Sequence, residues 1–298
     1  MSSRPLSNIL HDLLVQTAPT ASPTGRGNVQ RALEGAAEGD ERFGEDRMQD
    51  LAPALEPSDA PGVPRPDDLS LTPIAAELEG ADLAGANLRC AYLPRARLAR
   101  ANLTGANLRR AQMQQANLDR ADVADTLLSD ARLTAASLID ANLTRATLLA
   151  TELDGADLTR ATLHRAHLDN AQLPGARLSG ADLTGAALRS TILNHADLSH
   201  AVLRNAGLEG AHLYRADLSR ADLSGAVLDH ANLWEARLSG ANLAEASLQR
   251  TRLARCYWTS DTRWPARLRD DIAARSVEIA PGYFQVMSAE DLADVTAG

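Results

Sequence analysis

The sequence contains no lysine, no long apolar run and only two cysteines. No apolar run approaches the ~20 residues needed to cross a bilayer, so we expect no membrane-spanning helix. Asn8, His11 and Asp12 interrupt the N-terminal apolar stretch, and we therefore expect no secretory signal peptide. Cys90 and Cys256 are too far apart in the repeat described next to form a bridge within one molecule. A reduced, cytoplasmic protein is the simpler interpretation.

One five-residue phrase recurs without interruption along most of the chain. Counting from Ala76, 36 consecutive phrases place leucine on residue numbers ending in 3 or 8, with alanine two places earlier. Only Met113 and Val123 replace the leucine. The position two residues before the leucine, called the small site below, is alanine in 32 phrases and threonine in the other four, Thr126, Thr151, Thr191 and Thr251. No insertion shifts the phase, so the whole region must repeat one local structure.

A period of five fits neither a helix nor a flat strand. Five residues advance about 500° around an α-helix, so the leucines would spiral over all its sides, and on a flat strand they would alternate between faces. If the chain instead runs extended and turns a corner every fifth residue, every leucine points inward. The alanine shares that face, because side chains two apart in an extended segment point the same way. It must be small because it lies near the corner of a narrow core.

The phrase Ala-Asp/Asn-Leu-x-x, as in Ala101-Asn102-Leu103-Thr104-Gly105, resembles that of the pentapeptide-repeat proteins. The resemblance implies an all-β solenoid over residues 76–255, a right-handed quadrilateral β-helix with four phrases per coil. That gives about nine coils and a rod about 43 Å long at a strand spacing of roughly 4.8 Å. We expect the inward leucines to define its core, among them Leu103, Leu143, Leu183 and Leu223.

The N-terminal flank is acidic and rich in proline. Residues 1–75 hold 12 acids and 6 arginines, which predicts a mostly disordered arm. Leucines and Ile9 at helical spacing predict a short amphipathic helix over residues 5–17, read either as a docking helix or as an end cap. The repeat region is neutral, with 20 acids and 20 arginines.

The C-terminal flank, residues 256–298, reads as a cap of mixed helical and extended structure followed by a tail. Large aromatic residues can cover the open end of a leucine core, and Trp258 and Trp264 are the candidates. Pro265 suits the first turn of a helix running to about residue 276, with Leu268 and Ile272 facing the rod. Extended runs are predicted over residues 277–279 and 283–286, and Ser288 can cap a final short helix. By resemblance, this segment also forms a homodimer contact.

The sequence contains no catalytic, cofactor-binding or metal-binding constellation. His164, His167, His195 and His200 have no carboxylate or cysteine partner at metal-ligand spacing, so solvated histidine is the favoured interpretation. A Gly-rich phosphate loop and a nucleophile elbow are also missing. We therefore predict a protein that is not an enzyme and that uses no cofactor or metal.

Positions twenty apart share one column on the outside of the rod. The most acidic column contains four aspartates, Asp82, Asp122, Asp182 and Asp222, and its face sums to −3 with the neighbouring charges. Another column places Tyr214 beneath Trp234, which predicts two stacked, exposed aromatic rings and a contact patch. The alternative is that the C-terminal segment folds over and covers both.

Two functions fit these observations. The first is a structural or protein-interaction scaffold with an unknown protein partner. The second, implied by the resemblance, is a DNA mimic that binds DNA gyrase and protects it from quinolones or natural toxins. Duplex DNA would carry about 25 negative charges over the rod's length. A face of −3 is far from that, and no basic column exists for direct nucleic-acid binding.

Overall fold

The computed structural model of the chain describes residues 76–288. The predicted acidic arm over residues 1–75 and its helix over residues 5–17 lie outside the described residues. The helix predicted to follow Ser288 lies outside them as well.

The repeat region folds as a β-solenoid that returns on itself every twenty residues. Parallel β-bridges pair positions twenty apart from Glu77 with Arg97 onward, and Asn102, for example, is bridged to Asp82 and to Asp122. Each extended piece is a single bridged residue on each of four walls, because a corner follows within five residues. The turn of four phrases predicted from the sequence is therefore present.

The leucine sites fill the inside of the solenoid. Leu103, Leu143, Leu183 and Leu223 are completely buried, and so are most of the alanines two places earlier. A leucine contributes about 2 kcal/mol when it is fully removed from water. Because every phrase supplies one buried aliphatic side chain, leucine in all but two, the core is continuous along the axis.

The corners are made by backbone in the left-handed region. The fifth residue of every phrase from Gly80 to Arg255 has φ between 52° and 69°. Glycine adopts this conformation without strain, but 26 of the 36 corners carry a side chain. The pairing between coils imposes the corner conformation on residues that do not favour it.

The preference for Asp or Asn before the leucine follows from the backbone hydrogen bonds. In the phrase 101–105, the N–H groups of Leu103 and Gly105 donate to the next coil at 2.7 and 2.9 Å, and that of Asn102 donates to the preceding coil at 2.9 Å. The Ala101 N–H donates to the preceding leucine carbonyl at 3.0 Å. Only the Thr104 N–H is left, and Asn102 Oδ1 accepts it at 3.1 Å. The Asp/Asn site therefore satisfies the one donor that the solenoid ladder omits.

The threonines that replace alanine at the small site are buried without leaving a polar atom unpaired. The Thr126, Thr151 and Thr191 hydroxyls donate to leucine carbonyls of the preceding coil at 2.8 to 2.9 Å. Thr262 makes the same bond to Leu238 at 2.9 Å. Thr262 thus occupies a small site, although it follows the last phrase in the predicted repeat.

The coil pairing continues beyond Arg255, where the phrase was expected to end. Tyr257 is bridged to Arg237, and Arg263 is bridged to Asn242, twenty-one residues away. One extra residue thus shifts the phase, which hides this last phrase from a strict five-residue count. Trp258 and Trp264 take the inward sites of these two irregular phrases and are buried.

The helix and strands of the described chain all belong to the C-terminal cap. They are β1 (Tyr257–Thr259), α1 (Arg269–Ala274), β2 (Ser276–Ala280) and β3 (Tyr283–Val286). The three strands form an antiparallel sheet in the order β1-β3-β2. β1 also pairs with the last coil, so the sheet extends one wall of the solenoid.

The cap closes the core with aromatic and aliphatic side chains. Trp258 stacks on Phe284 with ring centroids 4.4 Å apart and meets Trp264 edge-on at 6.1 Å. Ile272 of the short helix is buried, and Leu268 packs against the core from just before it. That helix begins at Arg269 rather than at Pro265. No helix between residues 76 and 288 is long and apolar enough to cross a membrane.

Candidate interaction surface

Tyr214 and Trp234 lie on neighbouring coils, but they are not the exposed stacked pair that the sequence predicts. Both are half-buried. The Tyr214 ring meets His195 edge-on, with centroids 5.3 Å apart, and the Arg215 guanidinium lies 5.1 Å from the same ring. The Arg255 guanidinium lies 5.6 Å from the Trp234 ring. Each ring therefore lies against the guanidinium of a nearby corner arginine, Arg215 for Tyr214 and Arg255 for Trp234.

The ion pair between Arg215 and Glu235 connects the two aromatic residues, because Arg215 lies over the Tyr214 ring and Glu235 accepts a hydrogen bond from Trp234. Arg215 Nε donates to Glu235 Oε2 at 2.5 Å, and Trp234 Nε1 donates to Glu235 Oε1 at 3.1 Å. The Arg215 hydrogen bond lowers the pKa of the Glu235 carboxyl, and the Trp234 bond lowers it further. We call the resulting group the corner cluster; its members are His195, Tyr214, Arg215, Trp234, Glu235 and Arg255.

Sequence reasoning missed four members of the corner cluster. His195, Arg215, Glu235 and Arg255 are spaced twenty residues apart, so the column sorting that placed Tyr214 beneath Trp234 could have found them too. The sequence analysis considers His195 only as a solvated histidine and does not sort this column of corner residues.

A cleft borders the corner cluster at the C-terminal end of the rod. It has a volume of about 320 Å³. Its wall combines the Trp234 ring and the last coil with the end of β3 and the residues that follow. The cleft, called the C-terminal cleft below, is lined by Trp234, Thr251, Arg252, Leu253, Ala254, Arg275, Val286, Met287 and Ser288.

The four candidate aspartates lie in one column, as the twenty-residue turn requires, and they are engaged with the solenoid itself. Each carboxylate accepts the backbone N–H two residues later, at 2.9 to 3.3 Å. Asn side chains of the next coil donate to Asp82, Asp122 and Asp222 at 2.9 to 3.0 Å. We call Asp82, Asp122, Asp182 and Asp222 the aspartate column. Its carboxylates act as turn caps along the wall.

Arginine neutralises part of this acidic face. Arg204 Nε donates to Asp222 at 2.5 Å, and Arg145 donates to both oxygens of Asp125 at 2.7 and 2.6 Å. Burial raises the pKa of Asp222, but the hydrogen bonds from Arg204 and Ser224 outweigh it, and the net effect lowers that pKa. The Arg145 hydrogen bond lowers the pKa of Asp125. Two carboxylates of this face, those of Asp222 and Asp125, are therefore paired with arginine.

Ion pairs between coils recur on the other walls. Arg177 lies 3.6 Å from Asp157 and Arg237 lies 3.6 Å from Asp217, and both pairs join residues twenty apart. Exposed pairs of this kind contribute under about 1 kcal/mol each. Within residues 76–288, no group of three or more His, Cys, Asp or Glu side chains is placed to hold a metal ion.

Several solved structures are similar to parts of this chain. The chain is 33% identical to HetL, a pentapeptide repeat protein involved in heterocyst differentiation regulation from the cyanobacterium Nostoc sp. strain PCC 7120. That match covers 60% of this chain and 88% of HetL, with a TM-score of 0.32. QnrB1, a plasmid-mediated fluoroquinolone resistance protein, is 19% identical over 54% of this chain and 88% of its own, with a TM-score of 0.26.

A third solved structure is a pentapeptide repeat protein from the Arabidopsis thaliana thylakoid lumen. It is 21% identical over 56% of this chain and 72% of its own, with a TM-score of 0.16. A comparison with curated proteins finds no significant match.

The family comparison covers all 36 regular phrases of the solenoid. The family model described as pentapeptide repeats matches in overlapping segments that together span residues 76–257, more than half of the chain. Such repeats form right-handed β-helices, in agreement with the fold expected from the phrase. The matched residues supply the inward leucines and the four walls, and the chain therefore belongs to the pentapeptide-repeat family.

Proposed function

We propose that this chain is a non-enzymatic protein-interaction scaffold that binds a protein partner through the corner cluster. The observation that carries the proposal is the composition of that cluster: tyrosine, tryptophan and arginine side chains, already oriented by one another on a rigid wall. These three residue types dominate the binding energy of protein interfaces. Their half-buried rings need little further ordering on association, which lowers the entropy cost of binding.

The proposal includes a rod of nine coils, the absence of catalytic activity and a cytoplasmic location. It is supported by the family, whose members are generally non-enzymatic repeat proteins. The corners of the walls are two-residue turns, whereas active sites usually stand on longer loops or in concave pockets. Two free cysteines suit a reducing compartment.

The test compares binding by three full-length variants. Trp234→Ala and Tyr214→Ala are expected to lower the amount of a specifically captured partner by about tenfold or more, because truncation of an interface aromatic often costs 2 kcal/mol or more. Tyr92→Ala is the matched control, since Tyr92 is an exposed tyrosine on the first coil. Equal capture by all three variants and the unchanged chain would contradict the proposal.

DNA mimicry is the competing function, and the charges on the aspartate column do not favour it. Asp222 is paired with Arg204, and Asp125 on the same face is paired with Arg145. Gyrase supercoiling distinguishes the two: a mimic inhibits it or relieves drug-stabilised cleavage, and a scaffold leaves both unchanged. Inhibition that disappears in an Asp122→Lys variant would replace the scaffold proposal with mimicry.

The partner can also be a second copy of this chain, joined through the cap. β2 is an edge strand, and Val277, Ile279 and Tyr283 near it are exposed. A free strand edge flanked by apolar side chains favours pairing with another strand. We expect light scattering to give the mass of a dimer, and Ile279→Arg to give a monomer. Leu149→Arg, at an exposed apolar position on the rod, should leave the dimer intact; a monomer in the unchanged chain would refute this contact.

A further inference from the structure

One wall near the C-terminal end of the rod is basic, although the protein as a whole has a net charge of −9. The middle of this wall is a run of parallel bridges that joins Ile192 to Arg252 over four successive coils. The wall carries four arginines there, and its one acidic residue is Glu235. On the earlier coils the same wall is neutral, with three arginines and three acidic residues. We call the positively charged part the basic wall; it consists of residues 190–195, 210–215, 230–235 and 250–255.

Two arginines of the basic wall are open to a new partner. Arg250 and Arg252 are exposed, and no carboxylate of residues 76–288 forms an ion pair with either guanidinium. Arg215, by contrast, is already paired with Glu235. Arg252 and Trp234 both line the C-terminal cleft, so an anion bound by Arg252 lies beside the corner cluster. The basic wall therefore combines unpaired positive charge with the aromatic rings that are proposed to bind a partner.

The contacts of the aromatic rings favour a protein segment over a nucleic acid as the anionic partner. The Arg215 guanidinium lies over the Tyr214 ring, 5.1 Å from its centroid, and both rings are half-buried. The Arg255 guanidinium lies over the Trp234 ring in the same way, at 5.6 Å. Single-stranded nucleic acids bind such surfaces by stacking bases on aromatic faces, and here a guanidinium already lies over each ring. Carboxylates need no open ring face, because a guanidinium binds them through two parallel hydrogen bonds.

The length of the basic wall sets the length of the segment that it can bind. Four coils spaced about 4.8 Å apart extend over roughly 14 Å. An extended chain rises about 3.3 Å per residue, so about five residues follow the wall from one end to the other. Side chains two apart in such a segment point the same way, so acidic residues at alternate positions all face the wall.

We propose that the basic wall binds a short, extended, acidic segment of the protein partner, which runs along the axis of the rod. Carboxylates of that segment pair with Arg250 and Arg252, and its aliphatic groups pack against Tyr214 and Trp234. The inference rests on the proposed function, because it names the chemistry of the partner for the same surface. Charge complementarity supports it: this surface is positive on a protein that is negative overall.

Fluorescence anisotropy tests the proposal with the full-length chain and a labelled peptide that carries glutamate at three alternate positions between alanine residues. The peptide with glutamine in place of each glutamate should bind more weakly. The double variant Arg250→Gln, Arg252→Gln should raise the Kd of the acidic peptide by about fivefold, the effect of losing two exposed ion pairs. The charge-reversed variant Arg250→Glu, Arg252→Glu should instead bind the same peptide with lysine in place of glutamate. That gain of binding cannot arise from misfolding.

A matched variant separates the basic wall from the total charge of the protein. The double variant Arg110→Gln, Arg132→Gln removes two exposed arginines from the same repeat positions of the same wall, on earlier coils, and should leave the Kd unchanged. The inference is overturned if the two double glutamine variants behave alike or if the acidic and glutamine peptides bind alike. It is also overturned if single-stranded oligothymidylate binds the basic wall more tightly than the acidic peptide does.

Failure of this inference is distinguishable from failure of the proposed function. Partner capture that depends on Trp234 and Tyr214 but is unchanged in the Arg250→Gln, Arg252→Gln variant would overturn the acidic segment and leave the scaffold in place. Capture that is unchanged in Trp234→Ala and Tyr214→Ala would contradict the proposed function itself. Capture that is lowered in the aromatic variants and in the double arginine variant, but not in Arg110→Gln, Arg132→Gln, supports both.

Discussion

The corner conformation predicts that one substitution, alanine to glycine, has opposite effects at two positions of the same kind of turn. Ala135 is a corner residue with φ of 54°. Ala124 is the residue just before another corner, that of Asp125, and its own φ is not positive. Both belong to coils that are paired on either side, and neither side chain is part of the leucine core.

The expected magnitudes follow from backbone energetics. A residue with a Cβ atom pays about 1–2 kcal/mol for the left-handed region, and glycine does not. Glycine in turn adds about 0.4–1 kcal/mol of unfolded-state entropy that must be lost on folding. Ala135→Gly should therefore raise the free energy of unfolding by about 0.5–1 kcal/mol. Ala124 has no backbone strain for glycine to relieve, so Ala124→Gly should lower the free energy of unfolding by about 0.4–1 kcal/mol.

Denaturant unfolding followed by far-ultraviolet circular dichroism measures both changes. The reverse substitution, Gly175→Ala, should cost about 1 kcal/mol through backbone strain alone, because a Cβ atom built there meets no atom within 4 Å. Gly207→Ala is its control, since Gly207 is a wall residue without the positive φ of a corner, and its added Cβ would meet only the end of the Glu209 side chain, with Oε2 at 3.0 Å. A loss of stability in Ala135→Gly equal to that in Ala124→Gly would refute the reasoning.

Three further predictions concern the inside of the rod. Leu183→Ala should lower the free energy of unfolding by about 3–5 kcal/mol, because the fully buried site cannot collapse within a stacked column. Thr191→Val should lower it by about 1 kcal/mol, because the hydroxyl bond to the Leu168 carbonyl at 2.9 Å is lost while the volume is kept. Burial raises the pKa of the Cys256 thiol to about 12, from an ordinary value of 9.0. The stability contributed by the neutral thiol is complete below about pH 9 and is lost as the pH rises toward 12, so Cys256→Ala should flatten the fall in denaturation midpoint over that range.

Each of these has a result that would contradict it. A Leu183→Ala cost no larger than that of a surface truncation would mean that the column relaxes around the gap. An unchanged midpoint in Thr191→Val would show that the leucine carbonyl is adequately satisfied by its turn hydrogen bond. For Cys256, the same alkaline fall with and without the thiol would assign it to other groups. Cys90, which is exposed, should react with a thiol reagent in the folded protein.

The sequence predicted the aromatic residues of the C-terminal cap but not the two irregular phrases that contain them. Trp258 and Trp264 were predicted to cap the rod, and the structure buries both in inward sites of two further, irregular phrases. The added residue before Thr262 breaks the five-residue count, so these phrases could not be counted with the rest. Their place is decided by pairing with the coil above, which tolerates one extra residue at a corner.

The contact surface shows a second limit. The positions of Tyr214 and Trp234 on neighbouring coils follow from their separation of twenty, but the orientation of their rings does not. Each ring direction depends on arginine and glutamate side chains of adjoining corners, which compete for the same space and the same hydrogen bonds. The twenty-residue spacing identifies which residues lie close together, but only side-chain packing determines which of their atoms are in contact.

The sequence by itself determined the twenty-residue coil, the inward leucines and the membership of each outer column. It could do so because the phrase is short, unbroken and chemically uniform, and a single local rule repeated 36 times leaves one way to bury every leucine. The tertiary structure alone decided the left-handed corners at residues such as Ala135, the irregular phrases that end the rod, and the partners of the aromatic rings. These depend on hydrogen bonds and contacts between coils, which residues within one phrase do not encode.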